Sequence, residues 1–195
     1  MNSQFTPVLT GKTVRLEPLA EHHREPLRLA AQDERIWEFN ITTALGPAFD
    51  PWFDMALAGQ SAGTRIPFAV VRIADNSVIG STSLLDPIVN HGRVDIGHTW
   101  YLPATWRTKV NPECKLLLMT YAFESMHMRR VGFTIDGINI RSQKAVEKFG
   151  AVREGVMRQH AVVYTGRIRD TVIYSVLQSE WTSVQNRLQG RIDAN

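Results

Sequence analysis

The sequence predicts an α/β (α+β) domain, a mixed and mostly antiparallel central sheet with helices on both faces. Three observations predict it. Strand-like runs at 66–73, 78–85 and 93–102 are joined by short spacers rich in Asn, Asp, Gly and Pro, the pattern of an antiparallel meander. Two helical segments then interrupt strands in the second half, which a sheet covered on both faces accommodates. The chain ends in a hairpin around Thr165-Gly166, whose second strand, Asp170 to Leu177, has strong strand propensity. With 195 residues, 44% of them hydrophobic, one domain over 1–195 has enough chain for a sizeable core.

The elements follow in order. Val8 to Leu19 alternates apolar and polar around a Gly11-Lys12 turn and reads as the first strand. Glu21 to Gln32 carries Leu27, Leu29, Ala30 and Ala31 among charges and predicts a helix, with Asp33 to Phe39 continuing it or opening a second. Residues 40–51 hold Gly46, Pro47 and Pro51 and form a loop; Trp52 to Ala62 predicts the next helix. After the meander, Asn111 caps and Pro112 opens an apolar, buried helix reaching about His127. Val131 to Ile135 is a strand. Ile140 to Phe149 is a helix whose Ser142, Ala145, Val146 and Phe149 share one face, with Gly150 as its stop. Val152 to Tyr164 and Arg167 to Leu177 make the terminal hairpin. Ser179 caps a last helix to Leu188, and a polar tail frays from about 189.

Composition narrows the function. Twenty-two Lys and Arg against 19 Asp and Glu leave a formal charge of +3, with the basic residues scattered. Such a surplus suits a small anionic ligand and lacks the basic stripe with interleaved aromatics that nucleic acid needs. The single cysteine, Cys114, excludes an intrachain disulfide and fits a reducing cytoplasm. No apolar run approaches the roughly 20 residues of a membrane span, and the N-terminus lacks a signal pattern. The histidines at 22, 23, 91, 127 and 160 show no metal-ligand spacing, so no metal is expected.

One stretch, Trp100 to Lys115, carries chemistry. A strand end feeds a basic loop that opens a buried helix, and unpaired amides at such a start hold phosphate, with Arg107, Lys109 and Lys115 adding positive charge. The same residues equally describe an ordinary strand–helix connection with solvated cations.

Four segments resemble the GNAT acetyltransferase superfamily, and within it the Rim-type ribosomal-protein N-terminal acetyltransferases. Val94-Asp95-Ile96-Gly97-His98-Thr99-Trp100 is similar to that family's E-I-G-Y strand, with aspartate for glutamate. The Trp106 to Cys114 loop and helix fall at its pyrophosphate site. Asn139 to Ala151 is similar to its N-x-x-S…E-K-x-G-F segment. Arg153-Glu154-Gly155-Val156-Met157-Arg158 with Gly166 to Asp170 is similar to its terminal hairpin, and Val14 to Leu19 fits its first strand. One departure stands out. Where the family's phosphate loop reads Q/R-x-x-G-x-G/A, this chain has Trp106, Lys109 and Asn111. Either the loop runs differently and Arg107 and Lys109 side chains offset the lost backbone approach, which the retained positive charge favours, or cofactor binding is weakened.

The resemblance implies an N-acetyltransferase that uses acetyl-CoA and a primary amine (a protein N-terminus, an amino acid or a small amine), with splayed strands at the cofactor site. It places the cofactor on Trp100, Tyr101, Leu102, Arg107, Thr108, Lys109, Val110, Asn111, Asn139, Ser142, Ala145 and Lys148. Asp95 takes the place of the family's base and Ser142 that of the donor to the departing sulfur. His98 is second choice as base and shares Asp95's site only if the strand is bulged. Tyr164 and Tyr121 are runners-up for the donor; Cys114 reads as inert packing. Asp95 equally reads as a partner of Arg93, Asn139 as a helix cap and Ser142 as packing. The missing glycines leave a competing reading, a CoA-binding or interaction module without turnover. A homodimer pairing through the Asp170–Leu177 strand is compatible with the sequence but not demanded by it.

Overall fold

The computed structural model describes residues 6–194. Eight strands form one sheet: β1 (Leu9–Thr10), β2 (Val14–Pro18), β3 (Arg65–Arg72), β4 (Val78–Ile88), β5 (Arg93–Tyr101), β6 (Arg130–Asp136), β7 (Val152–Val162) and β8 (Ile168–Leu177). Their spatial order is β1-β2-β3-β4-β5-β6-β8-β7, and every pairing is antiparallel except β5 with β6. Five α-helices cover it: α1 (Arg24–Ala30), α2 (Phe49–Ser61), α3 (Val110–Thr120), α4 (Ile140–Phe149) and α5 (Trp181–Asp193).

The strands alternate apolar residues between two cores. On one face Leu16, Phe68, Val94, Ile96, Phe133, Ile135, Val172 and Tyr174 bury against α3, α4 and α5. On the other, Ala69 and Trp100 meet Leu27 of α1, Phe49, Trp52 and Phe53 of α2, and Trp37 between them. Trp37, Trp52 and Trp100 contact one another with ring centroids 5.4–6.3 Å apart. Trp37, Phe49, Trp52 and Phe53, in and beside the 40–51 loop, are therefore core, the usual fate of such clusters.

Most predicted elements stand, with instructive departures. The first strand folds back at Gly11-Lys12 into β1 and β2. The first helix splits into a 3-10 turn, Glu21–His23, and α1; Glu34–Ile36 is a separate 3-10 turn capped by Asp33. Asn111 does not cap α3. The cap position is Lys109, and the Thr108 hydroxyl accepts the Val110 amide at 3.4 Å, which leaves Asn111 in the first turn. The helix also stops early, passing into a π turn at Tyr121–Ser125. Gly150 takes the expected left-handed conformation after α4, φ 102°. Ser179 is no cap, and the tail from 189 is helical because Leu188 and Ile192 pack into the core. The predicted dimer strand is also reassigned: β8 is interior, paired to both β6 and β7, so β7 is the sheet edge.

Glu113 ties the sheet's first turn to α3. Its buried carboxylate accepts the amides of Lys12, Thr13 and Val14 at 2.5, 2.9 and 3.1 Å. The carboxylate thereby gathers the amides of the β1–β2 turn. Glu113→Ala strands those amides, and the expected loss is about 3 kcal/mol or more, read as a lowered midpoint of urea unfolding. An unchanged midpoint would show that water replaces the carboxylate.

Candidate active site

The site begins where β5 and β6 part. Their parallel pairing lasts only three registers, Arg93↔Arg130, Val94↔Val131 and Asp95↔Gly132, although both strands run on. A bulge drives the separation. Between Ser83↔Gly97 and Ser81↔Trp100 the β5 strand has one residue too many, and His98 absorbs it at φ 45°. That left-handed backbone is costly for a non-glycine residue and re-aims the strand. Beyond Gly132, β5 and β6 diverge around a cleft lined by Ile96, Gly97, His98 and Thr99 on one side and Phe133 to Asp136 on the other. Asn139, Ser142 and Val146 of the α4 arm close one end, and Phe39, Asn40, Lys115 and Arg169 complete the wall.

Asp95 sits at the vertex, packed over Gly132, where any Cβ would overlap its carboxylate. Burial raises its pKa, with Arg130 and Arg93 opposing, and it forms no close ion pair with Arg93. Asp95 is not among the residues lining the cleft; Ile96, next along the strand, is. His98 does line it. Burial, with Arg65 nearby, lowers His98 to about 4, so the imidazole is neutral at physiological pH. The bulge thus brings His98 to the opening that regular alternation would have denied it.

The loop expected to hold phosphate takes a course of its own. Pro103–Thr105 forms a 3-10 turn, and the left-handed residue is Arg107 at φ 64°, while Lys109, at the family's glycine position, has an ordinary φ of −63°. Among the described residues the amides of Arg107, Thr108 and Lys109 donate to no backbone carbonyl. Consecutive free amides at a helix start are an anion cradle, and Arg107 and Lys109 keep their cations beside it. Those residues fit a pyrophosphate. Val110 is buried and anchors the helix, so its side chain belongs to the core.

Of the predicted pantetheine edge, only part is free. The Leu102 amide donates to the Ile79 carbonyl at 2.8 Å, so Leu102 is turned toward β4, and by alternation Tyr101 faces the split. The Tyr101 carbonyl already accepts from the Trp106 indole at 3.0 Å. Trp100 sends its ring into the α1–α2 core. The Trp106 ring lies under the Arg141 guanidinium of α4, 4.0 Å to its centroid, and so bridges the two arms of the split. Sequence reasoning did not find that contact, because residues 106 and 141 meet only through the sheet.

On the α4 arm, Asn139 caps the helix by accepting the Ser142 amide at 3.0 Å and also lines the cleft. The Ser142 hydroxyl has no hydrogen-bond partner among the described residues and faces the opening. Ala145 lies a turn further on, half-buried. Lys148 is exposed near the end of α4, away from the cleft.

Lys115 is the largest displacement from expectation. It is buried, not a mobile loop cation; its ammonium donates to the Thr99 hydroxyl at 3.1 Å and lines the cleft. Desolvation lowers it to about 8. Cys114 is fully buried against Tyr101, and burial pushes its thiol up to about 12. Tyr121 is half-buried in the π turn, and Tyr164 lies on the hairpin tip, where its amide donates to the Ile41 carbonyl at 2.8 Å. Neither lines the cleft. The fold also gathers Glu17, His22 and His23 within 4.8 Å, a metal-like trio that sequence spacing missed. His23 Nδ1 accepts the Ala20 amide at 3.1 Å, so Nε2 carries the proton and donates to Glu17 at 2.9 Å. A protonated Nε2 cannot ligate, and the trio serves as a turn lock.

A sheet forced open beside an anion-binding helix start defines the class of acyltransferases that seat a pantetheine arm between two diverging strands. The chain belongs to the acetyltransferase (GNAT) domain family, whose model matches residues 13–152, and it is an N-acetyltransferase. It is similar to a GCN5-related N-acetyltransferase from Brucella melitensis, 33% identical with a TM-score of 0.85 over 96% of this chain and 86% of that one. The uncharacterized N-acetyltransferase YoaA of Bacillus subtilis (strain 168) is 27% identical over 63% of this chain and 67% of its own. A structure of Mycobacterium smegmatis RimJ in complex with CoA-disulfide shares the fold at 18% identity, TM-score 0.78, over 94% of this chain and 92% of that one.

The burial of Cys114 has a direct consequence. The folded protein should resist an aromatic disulfide thiol reagent at pH 8 and react with one equivalent once unfolded in denaturant. Rapid labelling of the native protein would place the thiol at the surface.

Proposed function

We propose that the protein transfers the acetyl group of acetyl-CoA to a primary amine by direct attack in a ternary complex. The observation that carries the reading is the cleft between β5 and β6, with free amides at one end and an unpartnered Ser142 hydroxyl on its wall. Acetyl-CoA supplies an activated thioester. The chain's own residues would hold the pyrophosphate on the Arg107–Asn111 turn and receive the pantetheine between the Tyr101 edge and the Asn139–Ala145 arm. The Trp106–Arg141 contact would close over it.

The remaining steps need proton traffic. A neutral amine attacks, and an α-amine, with an ordinary pKa of about 7.7–8.0, needs little help. Asp95, its pKa raised by burial at the vertex, would take the proton through water. The Ser142 hydroxyl would donate to the leaving thiolate. His98, held neutral, remains the alternative base. The glycine-free loop still presents its amides, which supports cofactor binding, and turnover separates the enzyme from the competing module.

Cellular placement follows the same chemistry. Among the described residues no helix is long and apolar enough to cross a membrane. A lone buried thiol and a mixed surface charge support a cytoplasmic enzyme acting on small or peptide amines, without nucleic acid or membrane as partner. A homodimer, if formed, would use the β7 edge, where Val152, Val156 and Val162 are exposed.

Calorimetric titration with acetyl-CoA, with free CoA as control, should give micromolar binding, and an amine panel should release thiol; no binding would end the enzyme reading. Ser142→Ala should lower turnover with little change in cofactor affinity, whereas Lys109→Glu should weaken affinity first; the reverse order would overturn both roles. Asp95 works as a base only when ionised, so kcat/KM should fall as pH drops through its raised pKa. Asp95→Asn should abolish that limb and lower kcat about 10²- to 10⁴-fold, and a limb that survives would exclude Asp95.

A further inference from the structure

The cleft passes through the sheet, and its two mouths differ. Phe133 and Ile135 bury toward α3 and α4, so Thr134 between them faces the α1–α2 side. Val172 and Tyr174 also bury toward α4, which puts Arg169 and Thr171 on the α1–α2 side. Arg169 is only 4% exposed, yet it has no carboxylate partner. Its Nε donates to the Thr171 hydroxyl at 2.9 Å and one Nη to the Thr134 carbonyl at 3.2 Å. Asp136, the acid whose charge acts on Arg169, is engaged elsewhere: one oxygen pairs with Arg167 at 2.5 Å and the other accepts the Ile138 amide at 3.1 Å. The other Nη has no partner among the described residues and is not sealed from the cleft that Arg169 lines.

A buried guanidinium without a counter-ion is expensive unless a ligand supplies one. Lys115, also buried and without an ion pair, lines the same cleft, and the carboxylate that lines it, Asp136, is already paired with Arg167, so the balance there is positive. That field disfavours a bare ammonium and favours an acceptor that carries its own negative charge. The planar fork of Arg169 suits a carboxylate, and Asn40 and Phe39 stand beside it to receive the rest of a small molecule.

Building on the acetyltransferase reading, we propose that the acceptor is a small amino carboxylate, such as a free amino acid, whose carboxylate is bound by Arg169 while its amine points through the sheet toward the thioester. Arg169 is then a specificity determinant on the acceptor side, distinct from the cofactor-side cations Arg107 and Lys109. The nitrogen–acetyl bond forms as the carbon–sulfur bond breaks, and the amine's proton ends on the thiol.

The test compares free amino acids with their carboxamides, and with peptide amides bearing aspartate at the second position, by thiol release from the full chain at saturating acetyl-CoA. Carboxylates should exceed their amides by about tenfold to a hundredfold in kcat/KM. Arg169→Gln should bring the acid-to-amide ratio of kcat/KM to about one, chiefly by raising KM for the acids, with Arg169→Lys recovering part of the preference. Preference for the acidic peptide over the free amino acid would keep the Arg169 site and move its carboxylate to a peptide side chain. Equal use of acids and amides, or equal losses on both in Arg169→Gln, would overturn the proposal. Calorimetric binding of N-acetyl amino acids against N-acetyl amino amides decides the matter without turnover: equal affinity defeats the carboxylate site even if catalysis is intact. Absence of thiol release with every amine would instead count against the transferase reading. Unchanged acetyl-CoA affinity in each variant certifies its fold.

Discussion

Everything at the site depends on the parallel pairing of β5 and β6 ending after three residues. Two adjacent strands ordinarily satisfy each other's amides and carbonyls along their whole length. Here the extra residue at His98 re-aims β5, and the freed edge borders an opening instead of a neighbour. The strain of a left-handed histidine is held by pairing on either side of the bulge, Ser83↔Gly97 and Ser81↔Trp100. The vertex itself is tight. Gly132 has no side chain because Asp95 occupies the space one would need.

Helix α3 shows how closely spaced residues divide their labour. Glu113 and Lys115 are two positions apart, about 200° around the helix, so they cannot face the same neighbour. Glu113 reaches the β1–β2 turn and gathers three amides; Lys115 reaches through the split to Thr99. Between them Cys114 fills the core. Three consecutive residues thus serve stability, packing and the cleft.

The two faces of the sheet also separate. The α3–α4 face carries the free amides, the Trp106–Arg141 bridge and Ser142. The α1–α2 face carries Arg169, with Phe39 and Asn40 beside it, over a core that holds Trp37, Trp52 and Trp100.

Local pattern was enough to read most of the elements from the sequence: the meander, α4 with its Asn139 cap and Gly150 stop, the terminal hairpin, and the family itself. Those features are encoded by near neighbours, where turn chemistry and 3.6- or 2-residue periodicity act. The position of the basic loop before α3 was also legible, because a helix start is a local feature. What only the tertiary structure decided involves partners far apart in sequence. Lys115 left the loop for the cleft because α3 turns it toward Thr99, Trp106 found Arg141 across the split, and Arg169 is buried without an ion pair while Arg167 pairs with Asp136. β8 became interior because β7 paired outside it, and residues past 189 stayed helical because Ile192 had a core to enter. Burial and pairing across the sheet are cooperative properties of the packed chain, and no window of the sequence contains them.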